Sequence, residues 1–483
     1  MSAPAAAPPA PGILFIRGED SQNNAEVCFD SQLLSYHRVA WLLYDNAALS
    51  AGLGISPDQL NPKAADVRLH LIKMPETALL TIHILLALHE AVASNAAIAQ
   101  LDVTVVKHEA LFGWFDPAHA AARADMLSCG AAGAADAGFS ALRLHEQKPK
   151  QRPLPQFAAQ PTALTSKVRF RFCRTLGQAL HRTSIRVVYL ANLMWFQQQA
   201  PRRELLQSLD QLLVSIQQLQ RLPAPPRLYP PHEWDELLEL KHKVYQRFHS
   251  IMLPTRWFPL HDNTEAKIRS TADWLVKDLP PGTYVLKGNY SDAGDAVRCD
   301  IVLTSPGVAP AKLHAEIKML ATKWHQTHFG LQEQQAELRI NEFRHYCFAL
   351  PGPIDGVARF RLMVAVRTHA WQRTDMRERG GGFDWRLGSA HISIPSDDAA
   401  IACYDLVQDI LTGDAYQSLR AELIGMGCSA LRIDCGYDST KKRAYLCELT
   451  SPASAGMFHF AHETELVWLF GRLAAQGLVQ KLA

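Results

Sequence analysis

Between residues 12 and 108 two periodicities alternate, and this limits the fold more than any other feature of the chain. "GILFIRG" (12–18), "DVRLHLIKM" (66–74) and "LDVTVVKH" (101–108) are short apolar runs of strand length. Between them, "SQLLSYHRVAWLLYDNAAL" (31–49) and "ETALLTIHILLALHEAVAS" (76–94) repeat their apolar residues at helical spacing. Strands separated by helices cannot pair as hairpins, because each connection must cross the sheet. The order β-α-β-α-β therefore predicts a parallel sheet with helices packed on it. No glycine fingerprint follows the first strand, so a dinucleotide site is not expected there.

The chain has 483 residues, room for about three domains at roughly 100–200 residues each. It is 48% hydrophobic and 20% charged, as globular proteins are. A net charge of +2 gives no electrostatic reason to expect nucleic acid or a membrane surface as partner. The best candidate for a membrane span, "VVYLANLMWF" (187–196), is too short to cross a bilayer. "MSAPAAAPPAPG" lacks the basic start and apolar centre of a signal peptide and reads as a disordered tail over 1–12. Nine scattered cysteines without a CxxC pair suggest reduced thiols, hence a cytoplasmic protein, and show no zinc spacing.

The domains expected are an α/β domain over 13–129, a linker over 130–166, a helical segment over 167–232 and an α+β region over 233–483. The linker is rich in Ala, Gly, Pro and Gln. In the helical segment, Leu205, Leu209, Leu212, Ile216 and Leu219 form one stripe. It packs on a core or forms a seam between two copies, which leaves a homo-oligomer open. "PAPPRLYPP" (223–231) stops the helices.

Three stretches of the last region carry chemistry. In "TYVLKGNYSDAGDAV" (283–297), Lys287 ends an apolar strand ahead of a loop with Gly288 and Gly294, whose N–H groups could cradle phosphate. The other reading is a lysine on a solvated surface, and Asp292 and Asp295 would repel phosphate. In "EFR", Glu342 and Arg344 share a strand face, as a salt bridge or with Arg344 on a phosphate. In "ALRIDCGYDSTKKRAYLCELT" (430–450), a turn joins strands carrying Asp434 and Glu448. Opposed carboxylates repel and raise one another's pKa unless a cation such as magnesium lies between them. Asp434→Asn is therefore expected to leave the fold intact or firmer.

Taken in order, a lysine-bearing helix, "LPT", a helix, "YVLKGNYSDAG", a helix, a Gln/Glu strand, "EFR" and "LRID…CELT" resemble the ATP-grasp superfamily over about 235–475. The resemblance implies an α+β, two-lobed nucleotide-binding region that holds ATP and Mg2+. The activity it implies is a ligase joining a carboxylate to an amine through an acyl-phosphate, with a small-molecule or peptide acceptor. It implies that Lys243 or Lys241, together with Lys287, contacts the nucleotide, under a phosphate-covering loop that includes Ser291 and Gly294. Gln332, Glu333 and Gln334 fall at the adenine hinge, Glu342 lies near the nucleotide, and Arg344 and Arg432 face the phosphates. Arg367, ahead of the glycine-rich stretch 377–391, would contact a carboxylate or phosphate. Asp434 and Glu448 would hold magnesium.

One departure bears on this assignment. The family ends this hairpin in Glu-x-Asn, whereas here Thr450 replaces the asparagine, so a second metal is not assured. A nucleotide-binding regulatory or assembly protein without turnover, or a phosphotransferase, would use the same residues.

Overall fold

A computed structural model describes residues 10–17, 76–106, 165–173, 179, 184–191, 202–290, 296–323, 325–335, 342–351, 355–368, 383–387, 398–451 and 464–482. The expected helix 31–49, strand 66–74 and linker 130–166, save its last two residues, lie outside them. The chain forms two compact units. The first comprises 1–195, 207–230 and 458–483, and the second 196–206 and 231–457.

The first unit holds a five-stranded sheet in the order β3-β2-β1-β4-β5. Its strands are β1 (Pro11–Arg17), β2 (Leu101–Val106), β3 (Val168–Cys173), β4 (Ser184–Ala191) and β5 (Arg227–Tyr229). Every neighbouring pair is parallel, as the alternation predicts. Ile13, Leu14, Val103, Ile185 and Val187 are fully buried, as strands covered on both faces require. Helix α1 (Glu76–Ala93) packs against the C-terminal helix Thr464–Leu482, and Glu90 pairs with Arg472 between them. Gly477 lets that helix approach Tyr229, since a Cβ there would lie 2.6 Å from the tyrosine oxygen. Helix α2 (Arg202–Gln220) buries Ile216 beside Leu14, Ile185 and Val188.

Two expectations change here. The stretch 167–232 is not helical throughout: among its described residues the first part supplies β3 and β4, and 202–220 forms a long helix. The alternating "VRFRFC" carries a strand signal that the leucine-rich helix beside it obscured. The C-terminal helix, assigned to 233–483, packs in the first unit, because a long-range contact decides where an apolar helix face is buried.

The second unit is α+β, with two antiparallel sheets. One has the order β6-β9-β7-β8, from β6 (Thr255–Pro259), β7 (Gly282–Gly288), β8 (Val297–Leu303) and β9 (His328–Glu333). Before it come α3 (Glu233–Leu238) and α4 (Lys241–Phe248). Helices α5 (Glu265–Val276) and α6 (Ala311–Lys323) share a core with this sheet that includes Ile268, Leu275, Leu286, Ile301, Ile317 and Phe329. The other sheet has the order β12-β11-β10-β13-β14. Its strands are β10 (Glu342–Pro351), β11 (Ala358–Thr368), β12 (Phe383–Leu387), β13 (Ala430–Asp438) and β14 (Arg443–Thr450). Helix α7 (Asp398–Thr412) packs on β13 and β14, and α8 (Gln417–Gly425) on β11. All nine residues of β13 are buried. Leu431, Ile433 and Cys435 alternate along it with Arg432, Asp434 and Gly436, so one face is apolar and the other carries charge.

Candidate nucleotide site

The charged face is built by strand register. Asp434 is the direct partner of Glu448 on β14 and of Arg344 on β10, so the three side chains form one row across three strands. The next row on the same face sets Arg432 between Thr450 and Tyr346. Glu342 lies opposite Gly436, on the other side of Asp434. A register shift between Asp434 and Cys435 leaves Cys447 as an extra residue in β14, a bulge beside Glu448.

Each carboxylate has a cation. Arg432 donates through both Nε and Nη2 to the two oxygens of Asp434, each at 2.9 Å, and Arg344 Nε stands 3.6 Å from Asp434 Oδ2. Arg344 also reaches Glu342 Oε1 at 3.4 Å. Lys241, at the start of α4, donates to Glu448 Oε1 at 3.2 Å. Partial burial pushes the Glu448 carboxyl up, but Lys241, Arg432 and Arg344 outweigh it and hold it below the usual glutamate value. Burial acts to lower the Arg432 pKa, and Asp434, with help from Tyr346 and Glu448, more than reverses it. The expected mutual rise in carboxylate pKa is therefore corrected for Glu448: the neighbouring cations of the protein outweigh it.

A small cleft adjoins this face. Lys241, Lys287, Glu448 and Cys447 line it together with Val244, Tyr245 and Trp257. Tyr245 accepts the Thr255 N–H at 3.1 Å, which fixes one wall. Gly330 lets the Trp257 ring lie on β9, since a Cβ there would come within 2.8 Å of the ring. Burial pushes the Cys447 thiol up to about 12, so it stays protonated and unreactive.

The structure thus brings together Lys241, Lys287, Arg344, Arg432, Glu342, Asp434, Glu448 and Thr450. Of the two lysines offered for the first contact, Lys241 enters the cleft, whereas Lys243 pairs with Glu236 at 3.1 Å near the surface. Gly288 is buried, and a Cβ on it would meet Gln326 and Ala296 at 2.7 and 2.8 Å. Gln332 is buried in β9 in register with Thr255 and Val285, and Glu333 is exposed. Gln334 is tied to β8, accepting from the Asp300 N–H at 2.8 Å and donating to Asp300 Oδ1 at 3.0 Å. Arg367 lies in β11 opposite Phe343 and Asp384, but its side chain is outside the described residues, as are Ser291 and Gly294.

Two cations, Lys241 and Lys287, and one carboxylate, Glu448, line the cleft, an excess of one positive charge. That balance fits a phosphate-bearing ligand. Among the described residues, no group of three or more His, Cys, Asp or Glu could hold a metal by itself. Magnesium delivered with phosphate oxygens needs only one or two protein carboxylates. Glu448 remains about one-third exposed, and Thr450 Oγ1, two residues on, is buried without a hydrogen-bond partner. Those two groups fit such an ion, whereas Asp434 is engaged by Arg432.

No protein-family model matches the chain, and no curated protein sequence does. Among solved structures it is similar to D-cycloserine synthetase, at 13% identity and a TM-score of 0.37, over 65% of this chain and 90% of that one. It is also similar to a RimK-domain ATP-grasp protein from Sphaerobacter thermophilus, at 11% identity and TM-score 0.33, over 64% and 89%. A third is D-alanine–D-alanine ligase from Bacillus anthracis complexed with ATP, at 11% identity and TM-score 0.32, over 65% and 85%.

Proposed function

We propose that the chain is an ATP- and magnesium-dependent ligase that joins a carboxylate to an amine. The observation that carries this reading is the convergence of Lys241, Lys287, Arg344 and Arg432 on one cleft and the charged sheet face beside it. Lys241 comes from α4, Lys287 from β7, and the two arginines from the other sheet. Cations from separate elements fix the position of a polyphosphate, and their excess charge offsets the charge that develops during phosphoryl transfer.

The γ-phosphoryl group of ATP passes to a carboxylate oxygen and ADP leaves. The amine then attacks the acyl carbon, the C–O bond to phosphate breaks, and the amine loses a proton. None of these steps needs a side-chain nucleophile. Bound magnesium would supply further neutralisation of the phosphate oxygens, with Glu448 and Thr450 as its protein contacts. Lys241 and Lys287 hold the phosphates, while Arg344 and Arg432 keep the floor of the site positive. The acceptor is a small molecule or a peptide, and the protein acts in the cytoplasm.

A second reading, nucleotide binding without turnover, is favoured by the occupation of Asp434 by Arg432. ADP release separates the two. A ligase releases ADP only with both a carboxylate and an amine present, a phosphotransferase needs a single acceptor, and a binding protein releases none. Absence of ATP binding by calorimetry would sink the whole reading.

A further inference from the structure

Helix α4, which carries Lys241, begins without a cap of its own. Leu240 stands at its N-cap position and offers no side-chain hydrogen bond, so the first N–H groups need acceptors from elsewhere. Asn289 provides them from just past the end of the strand that carries Lys287. Its main-chain oxygen accepts the Lys241 N–H at 2.9 Å, and its Oδ1 accepts the His242 N–H at 3.2 Å. The same Oδ1 contacts His242 Nδ1. The Asn289 N–H in turn donates to the His328 oxygen at 3.0 Å on β9. The His242 and His328 rings stack at 4.0 Å and 9°, closing the connection from the other side. Asn289 is 6% exposed, too buried for water to replace what its amide oxygen does.

We infer that Asn289 is a positioning residue for the nucleotide lysines. It joins the helix end that bears Lys241 to the strand end that bears Lys287, and so sets the separation of the two ammonium groups across the cleft. Removing its amide oxygen takes the acceptor from the part-buried His242 N–H in the first turn of α4 and leaves only the main-chain bond to Lys241. The helix end then shifts until that N–H finds another acceptor, and Lys241 moves with it. The inference rests on the nucleotide reading above.

The test is a double-mutant comparison, with a non-hydrolysable ATP analogue and magnesium as the probe and calorimetry as the measurement. In the wild-type background, Lys241→Ala is expected to weaken binding about tenfold, the scale of one charged hydrogen bond. In an Asn289→Ala background, the same change is expected to cost less than about twofold, because Lys241 no longer reaches the phosphate. In an Asn289→Asp background, which keeps the capping oxygen, Lys241→Ala is again expected to cost about tenfold. A merely structural asparagine would lower stability yet leave the cost of Lys241→Ala equal in all three backgrounds, and that result overturns the inference. If Asn289→Ala does not fold, Asn289→Ser, which withdraws the oxygen from His242, carries the same comparison. A wild-type protein that binds no nucleotide overturns the function and this inference together. Binding with additive losses overturns the inference alone.

Discussion

Asp434→Asn and Glu448→Gln each remove one negative charge from the same cross-strand pair, and the structure expects opposite ends of the stability scale for them. Asp434 is 2% exposed and receives two 2.9 Å hydrogen bonds from Arg432, itself 6% exposed. Removing one partner of a buried, fully hydrogen-bonded pair leaves an uncompensated charge and costs about 3–5 kcal/mol. Asparagine keeps one acceptor oxygen toward the guanidinium, which puts the expected loss near the lower bound, about 3 kcal/mol. Glu448 is one-third exposed and its single bond to Lys241 is 3.2 Å, so Glu448→Gln is expected to cost under about 1 kcal/mol. Urea unfolding of the two variants, with unchanged m, gives the two numbers. Removing both buried partners together, as Arg432→Met with Asp434→Leu, is expected to recover part of the Asp434→Asn loss. Asp434→Asn equal to or more stable than wild type would refute this reasoning. It would mean that repulsion between the carboxylates, as the sequence suggests, outweighs their neutralisation by arginine.

Other outcomes follow from the same geometry. Lys287→Ala and Lys241→Ala should each weaken ATP binding about tenfold by calorimetry, while Lys243→Ala should leave it within about twofold. Gly288→Ala should cost about 1–3 kcal/mol in thermal or urea unfolding, since its Cβ would meet the Ala296 methyl at 2.8 Å, and nucleotide affinity should fall with it. His345 is fully buried and donates its Nδ1–H to the Ile433 oxygen, and burial lowers its pKa from 6.5 to about 4. The unfolded chain therefore binds the extra proton first, and stability should fall by about 2 kcal/mol between pH 7.5 and 5. His345→Asn should flatten that slope, and an unchanged slope would place the acid sensitivity elsewhere. Glu448, held below its usual value, acts in the same direction at lower pH, losing its stabilising pair as the pH falls through its folded pKa.

By itself the sequence determined what local chemistry determines. Alternating apolar periods specified a parallel sheet in the first unit, whereas the bulge at Cys447, a register shift, sets Glu448 opposite Asp434. "EFR" placed Glu342 beside Arg344, since a strand returns to the same face every second residue. What the tertiary structure decided was every pairing between residues far apart in the chain. Lys241 and Lys243 lie on the same short helix, and only the docking of α4 against β14 selects Lys241 for the cleft. Arg432 neutralises Asp434 from two residues away, but the bond becomes decisive only because β13 is buried on both faces, where an uncompensated carboxylate could not stay charged. Asn289 carries no signal in the sequence, because a capping oxygen supplied from another element is defined by where the helix ends in space rather than by the residues that begin it.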